Sequence, residues 1–534
     1  MSEFPLGYEK IAPATWAYLS SLLMIGLFFK FNRTWSMRNL DLILLILLAP
    51  GMLLVVGGDN LEATYAVSIP ELSEDGLPSQ VPIAPAGDSI DLVQRGQWLQ
   101  FTGYIWLFVV GLLLLIRMLL DATMTRRPLL EPNLSMGGMI FFACSMSVFL
   151  MINVIVSNTT IADLDGAREA DQMVNGGDST SDRTDRNRSR HGPGYALLHL
   201  LPKVMTVGMS ANDGLPAGVG EERMWNVKNK KILAVYVKTT PDRMVWLQPY
   251  KALRREIPLD DLSDADRKYL SDLKRSVVIS KTMAILAHLA VVVGITMIGY
   301  RHFDSVSMGI GAATIYLILP YTVQMTGRVE HVIPAALLVW AIYFYRQPLG
   351  AGIFIGLAAG VVYYPLFLLP LWISFYWQRG LLRFTVGVLS MLFVLAITLL
   401  FDSGASYWEN VQRMFGIWLP VREGLEGVWG LGWDPWFRLP VLVLFFALSI
   451  SFAMWPAQKN MGTLLSCSAA LMVATQFWHG YGGGLYMGWY LPLLLLTVFR
   501  PNLEDRVALT VLGEGWLSRR RREQSEKKTD HIAA

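Results

Sequence analysis

The sequence predicts an all-α protein that crosses a lipid bilayer many times. Three observations carry this. Hydrophobic residues fill 53% of the 534 positions and charged residues only 16%, where a soluble domain is nearer a quarter charged. Several apolar runs reach or approach the roughly 20 residues that a spanning helix needs. The mean hydropathy is positive. A net charge of +3 is close to neutral and makes no case for a nucleic-acid partner. Cys144 and Cys467 both lie in apolar runs and read as small packing residues, since a disulfide or metal site needs closer partners. The first apolar run follows Glu3, Glu9 and Lys10 and lacks the basic start and small-residue cleavage site of a signal peptide.

The first helix is expected over Ala12 to Phe29, followed by Lys30, Arg33 and Arg38, and the second over Leu40 to Val56. Residues 57–97 then read as an acidic loop, with Asp59, Glu62, Glu71, Glu74, Asp75, Asp88 and Asp91 against Arg95 alone. Its prolines (Pro70, Pro78, Pro82, Pro85) argue against a long helix there. Helices at Trp98 to Leu120 and Met136 to Val156 complete an N-terminal block, residues 1–156. The positive-inside rule puts Lys30, Arg33, Arg38, Arg126 and Arg127 in the cytoplasm and the acidic loop outside. That places the N-terminus outside as well.

Residues 157–274 form a polar insertion on the outer side. Its first part, about 163–190, is rich in Asp, Arg, Gly and Ser with almost no apolar residues, a composition of disorder. Gly194 to Val207 has the pattern of an interfacial helix interrupted by Pro202. Lys231 to Val237 and Met244 to Leu247 read as strands, and Pro258 to Lys274 has helical spacing. The expected product is a small α+β element.

A second membrane block covers residues 275–500. Helices are expected at Thr282 to Tyr300, Met308 to Met325 and Val332 to Tyr345. Ala351 to Trp377 is too long for one span and breaks at Tyr364-Pro365 into two short or re-entrant segments. Further helices follow at Phe384 to Phe401, Leu439 to Met454, Met461 to Phe477 and Leu491 to Phe499. A tryptophan-rich outer segment occupies 402–438. The tail, 501–534, carries Arg519 to Arg522, Lys527 and Lys528, and belongs near anionic cytoplasmic headgroups. The total is about 12–13 membrane segments.

Under this topology every polar cluster falls on the outer face: Gly57-Gly58-Asp59-Asn60, the group Arg328, Glu330 and His331, then Glu409, Arg413, Arg422 and Asp434 among tryptophans, and His479 in a Gly/Tyr-rich turn. A carboxylate at the membrane edge can act as a general base. Arginines hold phosphates by paired hydrogen bonds. Each also has a structural reading: Asp59 as a helix-end residue, Arg328 with Glu330 and His331 as a solvated turn, the tryptophans as an aromatic belt, His479 as a turn residue. No Walker-type phosphate loop, GxGxxG after a strand, HExxH or CxxC pair is present, which disfavours an ATP-driven pump or a dehydrogenase. Helix interiors nearly free of charge and the lack of matching halves weigh against an ion-coupled secondary transporter.

In architecture the sequence resembles the GT-C class of integral-membrane glycosyltransferases. The resemblance rests on Asp59 after an early helix, opening an outer loop, and on PYTVQMTGRVEHVIPAALLVWAIYFYRQPLGAGIFIGLAAGVVYYPLFLLPLWI. That segment is similar to one in polyprenyl-phosphate-sugar-dependent mannosyltransferases, where a polar turn precedes an Ala/Leu-rich helix, a short basic loop, a glycine-rich helix and a proline-containing stretch. The resemblance implies an outer-face active site and a lipid-linked sugar donor. It implies Asp59 as the catalytic base, Arg328 and His331 near the donor phosphate, and Glu330 near the sugar or a bound divalent cation. Arg413, Arg422 and His479 complete the expected substrate-binding set. The expected location is the inner (cytoplasmic) membrane of a bacterium, with the C-terminus in the cytoplasm. A non-enzymatic transporter, or a scaffold presenting the 157–274 insertion, is the competing reading.

Overall fold

The computed structural model describes residues 12–65, 68–72, 78–82, 88–124, 130–156, six positions between 163 and 170, 191–206, 236–240, 243–246, 264–401, 407–416, 425, 427–431, 433–457 and 459–501. The described chain is helical except for two antiparallel ribbons, β1 (Ser68–Leu72) with β2 (Pro78–Pro82) and β3 (Tyr236–Thr240) with β4 (Arg243–Trp246). Most of the 157–274 insertion lies outside the described residues.

Helices α1 (Pro13–Phe28), α2 (Met37–Tyr65), α3 (Asp88–Asp121) and α4 (Met136–Val156) form the N-terminal block. α5 (Pro193–Thr206) precedes the long α6 (Asp264–His302). Then come α7 (Val306–Ile318), α8 (Pro320–Gln324), α9 (Val329–Tyr343), α10 (Pro348–Val361), α11 (Leu369–Tyr376), α12 (Leu381–Thr398), α13 (Tyr407–Phe415), α14 (Arg438–Met454), α15 (Met461–Trp478) and α16 (Leu491–Phe499). Among the described residues, seven helices are long and apolar enough to cross a membrane, and five further apolar helices are shorter. The protein is an all-α, multi-pass membrane protein.

Two boundaries differ from the sequence expectation. The chain does not leave its second helix at Gly57. α2 continues to Tyr65 and α3 begins at Asp88, so both ends of the expected 57–97 loop are helical. The cause is close helix packing. A Cβ on Gly58 would stand 2.4 Å from the Gly96 carbonyl oxygen, and one on Gly103 2.8 Å from that of Gly51. Small residues let two backbones approach closely in a membrane, and here the same glycines also look like a helix exit. The other difference is at Pro320. The proline lacks an N–H to donate, and the expected single helix divides into α7 and α8. The break at Tyr364-Pro365 is present, with a 3-10 turn (Tyr364–Leu368) between α10 and α11.

α2 and α3 run antiparallel, with Gly58 against Gly96 and Gly51 against Gly103, and the body has two ends. One end is closed by a buried charge network. Arg117 donates from Nε to Asp41 Oδ1 at 2.7 Å, from Nη2 to Asp41 Oδ2 at 3.0 Å and from Nη1 to Asp121 Oδ1 at 3.1 Å. Arg500, just past α16, reaches Asp121 Oδ2 at 3.4 Å. All four residues are buried. Charges this deep need partners, because removing one leaves the others uncompensated. Arg500 therefore belongs to the folded body, directly before the stretch that reads as tail.

The packing makes a paired prediction. Gly58→Ala forces α2 away from α3 and costs about 1–3 kcal/mol, the scale of overpacking. Gly57→Ala, where an added Cβ meets nothing within 4 Å, is neutral or slightly stabilising. Thermal unfolding of both variants in detergent measures the difference, and equal midpoints would refute the packing argument.

Candidate functional site

The opposite end of the body holds the other buried polar group, built around the first turn of α9. Arg328 is its N-cap residue, and Glu330 and His331 follow in the first turn. They are helical, where the sequence suggested a solvated turn. A carboxylate is favoured at a helix N-terminus by the unpaired N–H groups there. Glu330 and His331 are nonetheless 4% and 3% exposed, so the group is enclosed.

Glu330 is met from three sides. Arg328 Nη1 donates to Oε1 at 3.0 Å. His191 Nε2 lies 3.1 Å from Oε2, and His331 Nε2 lies 3.5 Å from Oε1. Two further carboxylates complete the cluster: Asp163 Oδ1 is 3.7 Å from Arg328 Nε, and Glu169 Oε1 is 3.6 Å from His191 Nδ1. Three carboxylates thus face the Arg328 guanidinium and two histidines. Arg328 is its least buried member, with 34% of its side chain exposed.

Asp163 and Glu169 come from the segment expected to be disordered, and His191 directly follows it. The described positions among 163–170 are instead helical, with Asp163, Leu164, Ala167 and Ala170 buried. Leu164, Ala167 and Ala170 recur every three residues, which puts them along one helix face; that was the available signal. The backbone carbonyl of Asp163 also accepts a hydrogen bond from Ser280. His191 is fixed by the chain after it. The Gly192 N–H donates to the Val361 carbonyl at 2.9 Å, and a Cβ on Gly194 would meet the Gly360 backbone at about 2.9 Å. α5 is therefore seated on the C-terminal end of α10, and His191 is carried over Glu330.

His479 joins this group through aromatic rings. It caps α15, and its Nδ1 shares a hydrogen bond with the Tyr364 hydroxyl. Tyr486 bridges the two histidines, with ring centroids 4.2 Å from His331 and 4.6 Å from His479. Trp489 Nε1 donates to the Glu330 carbonyl at 3.1 Å. Gly488 is required at this crossing, since a Cβ would stand 2.3 Å from the His331 carbonyl oxygen. Tyr321 hydrogen-bonds His331 Nδ1 from α8.

The other expected residues sit elsewhere or outside the description. Asp59 is half-buried on α2, beside the Gly58 contact with α3. It shares the end of the body with the cluster, because the 482–484 loop packs on α3 at Tyr104, Leu107 and Phe108. Arg413 lies on α13, with its side chain outside the described residues, and Arg422 lies outside them altogether. The tryptophans divide. Trp408, Trp433 and Trp436 are exposed, as a belt requires, while Trp429 is buried and donates to the Phe477 carbonyl at 3.2 Å. Among the described residues, no group of three or more His, Cys, Asp or Glu is arranged to hold a metal ion.

Burial disfavours the charged form of His191, but the hydrogen bonds and charges of Glu169 and Glu330 outweigh it and raise its pKa to about 10. A folded-state value above the unfolded 6.5 means that this histidine stabilises the fold fully below about pH 6.5. The contribution then falls as pH rises and is gone above about 10. Thermal midpoints from pH 6 to 10.5 should decline more steeply for the native chain than for His191→Gln; parallel curves would contradict the ion pair. Glu330→Gln removes the anion that His191 and Arg328 share. It is expected to cost about 3–5 kcal/mol, the scale for breaking a buried pair, read by the same unfolding measurement.

No protein-family model, curated protein or solved structure matches this chain.

Proposed function

We propose that the chain is a membrane glycosyltransferase of GT-C type, moving a sugar from a polyprenyl-phosphate donor to an acceptor outside the cytoplasm. One observation carries the reading: Asp163, Arg328, Glu330 and His331 converge in an enclosed, mixed-charge cluster at one end of an all-helical membrane body. Displacement at the sugar breaks its bond to phosphate, and charge grows on the departing phosphate. A guanidinium held in place stabilises such charge without reorganising. Arg328 is held by Glu330 and Asp163 and keeps part of its side chain exposed, which suits that role. Glu330 and His331 position it.

The acceptor hydroxyl must lose a proton as it attacks, and a carboxylate near the phosphate site receives it. The sequence resemblance gives this role to Asp59. Asp163 pairs with Arg328, the residue proposed to hold the phosphate, and we assign it the proton. Asp59, on α2 at the same end, then borders the acceptor side. The 12–13 segment count, the α+β insertion, the cytoplasmic tail and the bacterial inner membrane belong to the same proposal.

A transporter is the second reading. Buried Asp41, Arg117 and Asp121 favour it, since charges inside membrane helices often mark ion paths. The balance of two carboxylates by Arg117 and Arg500 makes a structural clamp the simpler account.

The test is transfer from a labelled polyprenyl-phosphate-mannose donor in proteoliposomes. Asp163→Asn should lower the rate about 10²–10⁴-fold, the usual worth of a general base, with the thermal midpoint checked alongside. Asp59→Asn should lower it less. Full activity in both variants would remove the base assignment. Substrate uptake with no covalent product would favour the transporter.

A further inference from the structure

The turn between α1 and α2 lies at the end of the body opposite the candidate site, and a buried side chain fixes its backbone. Asn39 is fully buried. Its amide nitrogen points at the carbonyls of Lys30, Arg33 and Thr34 at 2.9, 2.9 and 3.3 Å, and its oxygen accepts the Lys30 N–H at 3.1 Å. Lys30 Nζ in turn donates to Asn133 Oδ1 at 2.6 Å, tying the turn to the chain before α4. The two amide hydrogens of Asn39, shared among three carbonyls, and the bond its oxygen accepts hold a short surface turn in a single shape.

The shape presents Phe31 and Trp35 outward, 73% and 96% exposed, with the exposed Arg33 between them. Two large rings displayed this fully are costly in water. At the edge of a bilayer Trp35 suits headgroup depth, where amphipathic rings are favoured, and the apolar Phe31 ring suits the acyl side of that boundary. The guanidinium between them matches a phosphate by paired hydrogen bonds. Arg301, Arg346, Arg379 and Arg383 are exposed or partly exposed as well.

We propose that the Phe31–Arg33–Trp35 turn is a binding site for the headgroup of an anionic phospholipid. The rings enter the interface and Arg33 holds the phosphodiester. The asparagine clamp keeps the site pre-shaped, so binding does not have to order the loop. This inference is independent of the proposed transferase activity.

The experiment is native mass spectrometry of the full chain released from nanodiscs of mixed phosphatidylglycerol and phosphatidylcholine. The native chain should retain phosphatidylglycerol preferentially. Arg33→Gln should weaken that retention about five-fold, the worth of one basic residue near an anionic surface. Arg33→Lys should keep most of it, and Arg33→Gln with Trp35→Ala should lose the preference. Both side chains are exposed, so unchanged thermal midpoints in pure phosphatidylcholine confirm folding. Quenching by brominated lipid should also fall in Trp35→Phe relative to the native chain, a readout that does not depend on Arg33. Equal retention of both lipids by the native chain, or an undiminished preference in the double variant, would overturn the proposal.

Discussion

A carboxylate enclosed away from water has to be met by cations and donors, and Glu330 organises one end of this protein for that reason. Arg328, His191 and His331 surround its oxygens, and Trp489 holds the carbonyl of the same residue. These partners come from three stretches that are distant in sequence. Each arrives by its own local device: the N-cap of α9, the Gly192–Gly194 seat on α10, and the close approach of Gly488 to His331. The glycines and the charges form a single requirement. The cations reach Glu330 only because the backbones that carry them come within van der Waals distance of their supports.

The cluster joins two kinds of cohesion. Its charged side is held by ion pairs and is sensitive to protonation. Its aromatic side, Tyr364, Tyr486 and Trp489 around His479, is held by ring contacts about 4.6–5.4 Å apart, within the favourable range for such pairs. Tyr486 belongs to both sides, because it stacks on His331 and meets His479 edge-on. A polar centre walled by rings is shielded from competing water, which strengthens every electrostatic contact inside it.

Much of the helical framework was legible in the sequence. α4 and α16 match the apolar runs to the residue, and α1, α14 and α15 to within one, because charged or turn residues bound each run. The ends of α2 and α3 were not legible. Gly57-Gly58 signals an exit when read locally and a close helix contact when read with Gly96. The site was half legible. Arg328, Glu330 and His331 stand out as charges between apolar segments, and His479 as the start of a glycine-rich turn. Asp163 and Glu169 were hidden inside a stretch whose composition is that of a solvated chain, and His191 lies directly after it. Asp163 and His191 meet partners more than a hundred residues away, Arg328 and Glu330, and composition carries no information about such pairings.

The network at the far end bears on how the molecule is made. Asp41, Arg117 and Asp121 are synthesised early and carry two negative charges against one positive. The balancing cation, Arg500, is 379 residues downstream of Asp121. Until the last helix is in place, Asp121 lacks its contact with Arg500. Docking of Arg500 over Gly462, where any side chain would collide with the guanidinium, adds a cation beside Asp121. The contact between Asp121 and Arg500 thus ties the third helix to the last, so this end of the membrane body is complete only once both are in place.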